Sequence, residues 1–191
     1  LKIWAVNCTT DYVQQACKGK GLITEDELDG ILMEAKKNYA SISKQATDIG
    51  SEVHDAIEAW LKHGREPCLS TLDAHNAWDA WMKWYEENDV FPIEIETEVH
   101  GDCYAGRLDL VCMLNGDITL VDFKTSKGFY NEYPLQLAAY RQAYNTDKEE
   151  IDWVVRHGVL RLDKTTGKPH YKDYSDRYHQ DFEAFMYLVR F

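Results

Sequence analysis

Two aspartates and a lysine carry the chemistry most plainly legible in this chain. Asp109 lies in Gly106-Arg107-Leu108-Asp109-Leu110-Val111, and Asp122 and Lys124 lie in Leu120-Val121-Asp122-Phe123-Lys124-Thr125. Asn115-Gly116 between them is a two-residue hairpin signal, so the two segments are predicted to pair as neighbouring strands. Side chains alternate along a strand, which places Asp122 and Lys124 on one face. Acids and an amine inside apolar runs are costly unless they are used. Two carboxylates and an ammonium converging on a sheet suit a divalent cation held against a phosphate. Oxygen ligands favour Mg2+ or Mn2+, which acidify bound water and offset charge on the phosphate, while a lysine adds a compact positive charge. The bland alternative is an exposed Asp–Lys pair at a strand end.

Three further features border this pair of strands. His54 follows Gly50-Ser51-Glu52-Val53, with Glu58 one helical turn on, and a neutral imidazole is a good metal ligand. Gln136 and Tyr140 are again one turn apart, polar groups beside Leu137, Ala138 and Ala139, within reach of a phosphate or of the lysine region. Glu98 ends the alternating run Ile93-Glu94-Ile95-Glu96-Thr97-Glu98-Val99. Alternation assigns Glu94 and Glu96 to the solvent face and leaves Glu98 open between solvent and the acidic cluster.

The elements that must position these residues are legible in outline. Thr24-Glu25-Asp26-Glu27 reads as a capping box before a helix from Leu28 towards Tyr39. A second helix is expected after Asp48-Ile49-Gly50-Ser51, ending at His63-Gly64, and a third after Ser70-Thr71. The third carries Trp78, Trp81 and Tyr85 at helical spacing, a core stripe rather than a stacking surface. A strand over Phe91–Val99 precedes the Asp109 and Asp122 strands. A helix opened by Pro134, a strand over Trp153–Leu162, a Thr165-Thr166-Gly167 turn, a returning strand at Tyr171 and a helix over Phe182–Val189 complete the order. The expectation is one domain over residues 1–191, with residues 1–90 mainly helical and carrying His54, and residues 91–191 forming the sheet core.

Composition narrows the class. The 191 residues are 45% apolar and carry a net charge of −12. That charge opposes the basic footprint of a nucleic-acid binder, so DNA contact requires a local basic groove, for which Arg107, Lys127 and Arg141 are the nearby candidates. The five cysteines are scattered, with no Cys-x-x-Cys, against a zinc finger or a disulfide framework. No apolar stretch has the length of a membrane span and no leader pattern opens the chain, so a reducing, cytoplasmic setting is expected.

The order Gly50-x-x-x-His54, Glu98, Gly106-Arg107-Leu108-Asp109, Asp122-Phe123-Lys124-Thr125 and Gln136-x-x-x-Tyr140 resembles the PD-(D/E)xK nuclease superfamily. Within it, the pattern is most similar to the RecB-like exonuclease branch, with its phage and mitochondrial single-domain members. The likeness runs from Thr47 to Tyr144. It implies an α/β fold with a restriction-endonuclease-like core, a small mixed sheet flanked by helices and preceded by a helical segment. It implies that His54, Asp109, Asp122 and the Phe123 carbonyl bind Mg2+ or Mn2+, with Glu98 a further candidate, and that Lys124 is catalytic alongside the two acids. Gln136 and Tyr140 would shape the DNA-side wall, with Arg107 and Thr125 touching substrate. The implied function is metal-dependent hydrolysis of DNA phosphodiesters from an end, in recombination, repair or replication, with a recombination protein as a possible partner and the host cytoplasm as setting if phage-encoded. A structure-selective endonuclease and a non-cleaving DNA-end-binding module are the alternatives. Leu108 stands where the name motif has proline. No cysteine follows Cys112, so no iron–sulfur cluster is expected.

Overall fold

The computed structural model describes residues 2–146 and 148–190, with side chains from residue 5 onward. Two compact units divide the chain after Asp48. The first holds α1 (Lys2–Cys17) and the beginning of α2 (Glu25–His63). The capping box forms as the sequence predicts: the Glu27 carboxylate accepts the Thr24 N–H at 3.0 Å, and Thr24 Oγ1 accepts the Glu27 N–H at 3.3 Å.

One expectation fails here. Two helices were predicted across residues 28–63, but α2 is continuous for 39 residues. Ile42, Ala46, Ile49, Val53, Ala56 and Trp60 recur at three- and four-residue intervals straight through the supposed break, and this periodicity overrides the capping signal of Asp48 and Ser51. Gly50 serves close approach instead of a helix start. A Cβ there would stand 3.4 Å from Thr125 Oγ1, so the glycine lets α2 pass tightly by the end of the lysine strand.

The second unit is an α/β sandwich around a five-stranded mixed sheet. Strands β1 (Val90–His100), β2 (Ala105–Leu114), β3 (Asp117–Lys124), β4 (Arg156–Asp163) and β5 (Lys168–Asp173) lie in the order β1-β2-β3-β4-β5. β3 and β4 are parallel, joined through α4 (Glu132–Asn145), and every other neighbouring pair is antiparallel. The predicted hairpin forms: Asn115 and Gly116 take φ of 51° and 96°, the doubly left-handed turn that matches strand twist. α4 starts at Glu132, so Pro134 sits in the first turn, where no backbone N–H is required. β4 begins three residues later than predicted, at Arg156, and α5 (Tyr178–Val189) four residues earlier than predicted.

The sheet is covered on both faces. The second half of α2 and α3 (Leu72–Glu87) bury Val53, Ile57, Trp78, Trp81 and Trp84 against Leu110, Val121, Phe123 and Leu160. α3 starts at a true cap, with Thr71 Oγ1 accepting the Ala74 N–H at 3.1 Å. The predicted tryptophan stripe is therefore core. Beneath the other face, Leu137, Ala143 and Tyr144 of α4 pack on Val111, Leu120 and Val159. β3 runs between these layers and is buried almost throughout, which explains its unbroken apolar run. Cys112 is fully buried, its thiol pushed up to about 12 by that burial. Among the described residues no helix is long and apolar enough to cross a membrane.

Candidate metal centre

The site forms where the sheet opens. The β2–β3 ladder ends at Leu110↔Val121, and the next step would set Asp109 opposite Asp122. There the backbone pairing gives way, and Asp109 Oδ2 accepts the Phe123 N–H at 2.6 Å. On the far side of β2, Glu96 falls between the pairs Ile95↔Leu110 and Thr97↔Leu108, and so opposite Asp109. Glu96 has φ of 53°, a left-handed conformation uncommon for a residue with a side chain and frequent at functional sites. α2 brings His54 across the opening, its ring edge-on to Phe123.

These residues converge on one point. A nitrogen of His54 and one oxygen each of Glu96 and Asp109 lie within 4.8 Å of one another. His54 Nδ1 is 3.3 Å from Asp109 Oδ1 and 3.9 Å from Glu96 Oε1, while Nε2 lies 3.1 Å from the Phe123 carbonyl oxygen. Burial pulls the His54 pKa down, yet the Asp109 hydrogen bond and the charges of Asp109 and Asp122 outweigh it, and the net shift is upward. One ring nitrogen faces the carbonyl and the other faces the acids.

Asp122 and Lys124 share a face as predicted, 2.6 Å apart in a poorly aligned ion pair. Asp122 is 4% exposed, and its carboxyl is pushed up to about 6 by burial first and by Asp109 second, against the pull of Lys124. Lys124 loses by burial but gains more from Asp122 and Asp109, so its pKa is raised, and its ammonium lies 5.3 Å from the Tyr133 ring centre. Glu96 is also raised, by burial and then by Asp109. The group therefore concentrates negative charge that its own cations only partly offset.

The acid supplied by β1 is Glu96 and not Glu98. Glu98 is exposed and pairs in register with Arg107, outside the group. Strict alternation misassigned the run because the left-handed turn at Glu96 interrupts the period of two. Glu94 is not free in solvent either, accepting from Tyr144 Oη at 2.9 Å and from Lys148 at 2.7 Å. Arg107 braces Glu96, with Nε donating to its carbonyl at 3.2 Å and lying 3.6 Å from its carboxylate. Glu58 pairs with Lys62 instead of joining His54. Thr125 lies beside Gly50, and Lys127 is exposed. Arg141 does not face the candidate centre: its guanidinium stacks over Tyr178 of α5 at 4.1 Å and approaches His157 at 3.4 Å.

Gln136 Nε2 donates to Tyr140 Oη at 2.8 Å, so the two act as one unit on α4. Tyr140 packs on Gly106, where a Cβ would come within 2.2 Å of the ring. Gly106→Ala should displace Tyr140, break its hydrogen bond with Gln136 and cost about 1–3 kcal/mol as overpacking. Thermal unfolding checks this: an unchanged melting temperature would show that the ring yields freely.

The donor set fits a divalent cation. One imidazole with two carboxylates, beside a third carboxyl whose ionisation is opposed by burial first and by Asp109 second, suits Mn2+ and admits Mg2+. No protein-family model matches the chain, and none of the curated proteins compared with it is significantly similar.

Proposed function

We propose that this protein is a divalent-metal-dependent deoxyribonuclease that hydrolyses phosphodiester bonds from DNA ends, built on a restriction-endonuclease-like core. The reading rests on one observation above others: His54, Glu96 and Asp109 point donor atoms at a common centre, directly beside the buried Asp122–Lys124 pair. The cation would be held by His54, Glu96 and Asp109, with Asp122 and the Phe123 carbonyl adjoining. When bound, it supplies the charge that acidifies an attacking water and offsets the phosphate. The chain's own residues do the rest. Asp122 orients the Lys124 ammonium, which can hydrogen-bond to a phosphate oxygen or steer the water. Asp109 is fixed by the Phe123 N–H, and Glu96 by Arg107, so both acids are preorganised. The Gln136–Tyr140 unit offers a hydroxyl and an amide to the substrate side.

Labelled linear DNA, single-stranded and duplex, should be degraded from an end in Mn2+ or Mg2+ and left intact in chelator. Circular DNA should survive. Cleavage of circles would make the protein an endonuclease, and no cleavage of any substrate with either metal would overturn the reading.

A further inference from the structure

Among the described residues of this acidic chain, a row of cations runs across the sheet from the candidate metal centre. Reading across the sheet from Lys124, the register sets Arg161 beside it on β4 and His170 beside Arg161 on β5. One step along the strands, Asp122, Val159 and Lys172 align, and at the other side Asp163 faces Lys168. Residues aligned in this way share a face of the sheet. On β5 the alternate residue Tyr171 packs inward against the Trp84 side, at 6.1 Å between rings, so Lys168, His170 and Lys172 all point outward.

Phe129, in the segment after β3, lies near two of these cations. Its ring centre lies 5.9 Å from the Arg161 guanidinium and 5.6 Å from Lys172 Nζ, while Tyr174 lies 4.9 Å from Lys172. Tyr130 beside it is exposed. Asp163 is the acid in this row: it takes Arg161 at 3.2 Å and approaches His170 at 4.0 Å, and its second oxygen accepts the Thr165 and Thr166 N–H groups. Among the described residues Lys168 and Lys172 have no carboxylate partner. The Lys172 ammonium next to aromatic rings, with exposed Lys168 on the same face of β5, on a protein of charge −12, is what a phosphate backbone with unstacked bases requires.

We infer that a single strand of DNA reaches the candidate metal centre along the exposed edge strand β5, its phosphates on Lys168 and Lys172 and an unpaired base against the Phe129–Tyr130 segment. This rests on the nuclease reading above and adds the path and strand state of the substrate. Duplex ends fit less well, because paired bases hide the faces the aromatic groups would stack on.

The test is anisotropy of a labelled single-stranded oligonucleotide in chelator, over a range of salt, for the wild type, the double variant Lys168→Gln/Lys172→Gln and the control Lys36→Gln/Lys37→Gln, which removes the same charge from the other compact unit. The β5 variant should bind roughly tenfold more weakly, with a salt slope smaller by about 1.4, two phosphate contacts at about 0.7 each. The control should keep the wild-type slope. Calorimetric Mn2+ binding should survive in both variants, showing an intact centre. If β5 variant and control lose affinity equally, or neither changes slope, the track is wrong even where the wild type cleaves DNA. If duplex binds as tightly as single strand and suffers the same loss, the strand assignment falls. A wild type that shows the β5-dependent slope yet never cleaves would retain the track and overturn the nuclease reading.

Discussion

On the proposed nuclease reading, Asp122→Asn should sharply lower metal-dependent DNA cleavage and raise the melting temperature of the metal-free protein. Both effects have one origin. The buried Asp122 carboxyl is pushed from 3.8 up to about 6, first by desolvation and then by Asp109. About two pKa units correspond to about 3 kcal/mol of unfavourable ionisation at neutral pH. Asparagine keeps the shape without the charge, though it also deprives Lys124 of its closest anion. A net gain of about 1 kcal/mol, or roughly 2–4 °C for a chain of this size, is the expected balance. Cleavage should fall roughly a hundred- to a thousandfold, the loss seen when one preorganised electrostatic partner is removed. The pH dependence separates this from a packing effect. Between pH 3.8 and about 6 the folded protein keeps a proton that the unfolded chain has lost, so the Asp122 contribution to stability is present at low pH and declines as pH rises. The variant lacks that decline, and the stability gap should open across this window and reach its full size at pH 7. A variant less stable than wild type at pH 7, or one cutting labelled DNA at the wild-type rate, would be incompatible with the assigned role of Asp122.

The same charge balance explains which parts of the site were legible in sequence. The hairpin was, because Asn115-Gly116 encodes its turn locally and the flanking apolar runs encode burial. The pairing of Asp122 with Lys124 followed from period two alone. His54 falls on a helix by the spacing of Val53, Ile57 and Trp60, but its place in the site rested on the resemblance, and the helix was wrongly split in front of it. Glu96 was not legible, because its contribution depends on a positive φ that no local residue signals: a glutamate in the left-handed region is held there by the pairings of Ile95 and Thr97 and by Arg107. The basic track was missed for a related reason. Arg161, His170 and Lys172 lie far from Lys124 in sequence and meet it only through the parallel β3–β4 pairing and the β4–β5 return, whereas Arg141, close in sequence, is turned away towards Tyr178. Local signals carry turns, caps and faces; non-local register decides what stands beside them.

Register and packing also imply that the candidate metal centre depends on a side chain that touches no donor atom. Trp81 is fully buried, with ring centres 5.1 Å from Phe123, 5.4 Å from Tyr85 and 5.6 Å from Trp84. Trp81→Ala should cost about 3–5 kcal/mol, the usual range for emptying a tryptophan-sized volume in a core. Its second effect should reach the site. Phe123 rests against Trp81 on one face of the sheet, while the Phe123 N–H fixes Asp109 and its carbonyl meets His54. A cavity beneath the Phe123 ring lets that backbone shift, and donor atoms gathered within 4.8 Å lose their alignment. Mn2+ affinity should therefore drop in the alanine variant although no acid or histidine has changed. Trp81→Phe separates ring from volume: it keeps an aromatic contact with Phe123 and removes the indole N–H, which is buried without a hydrogen-bond partner and carries a penalty of about 1–3 kcal/mol. The phenylalanine variant should lose less than about 2 kcal/mol and hold Mn2+ nearly as well as wild type. Denaturant unfolding with calorimetric titration of the folded variants reads both quantities. An alanine variant that unfolds with less than half the expected loss, or that is destabilised yet binds Mn2+ unchanged, would show that Trp81 fills the core without shaping the centre.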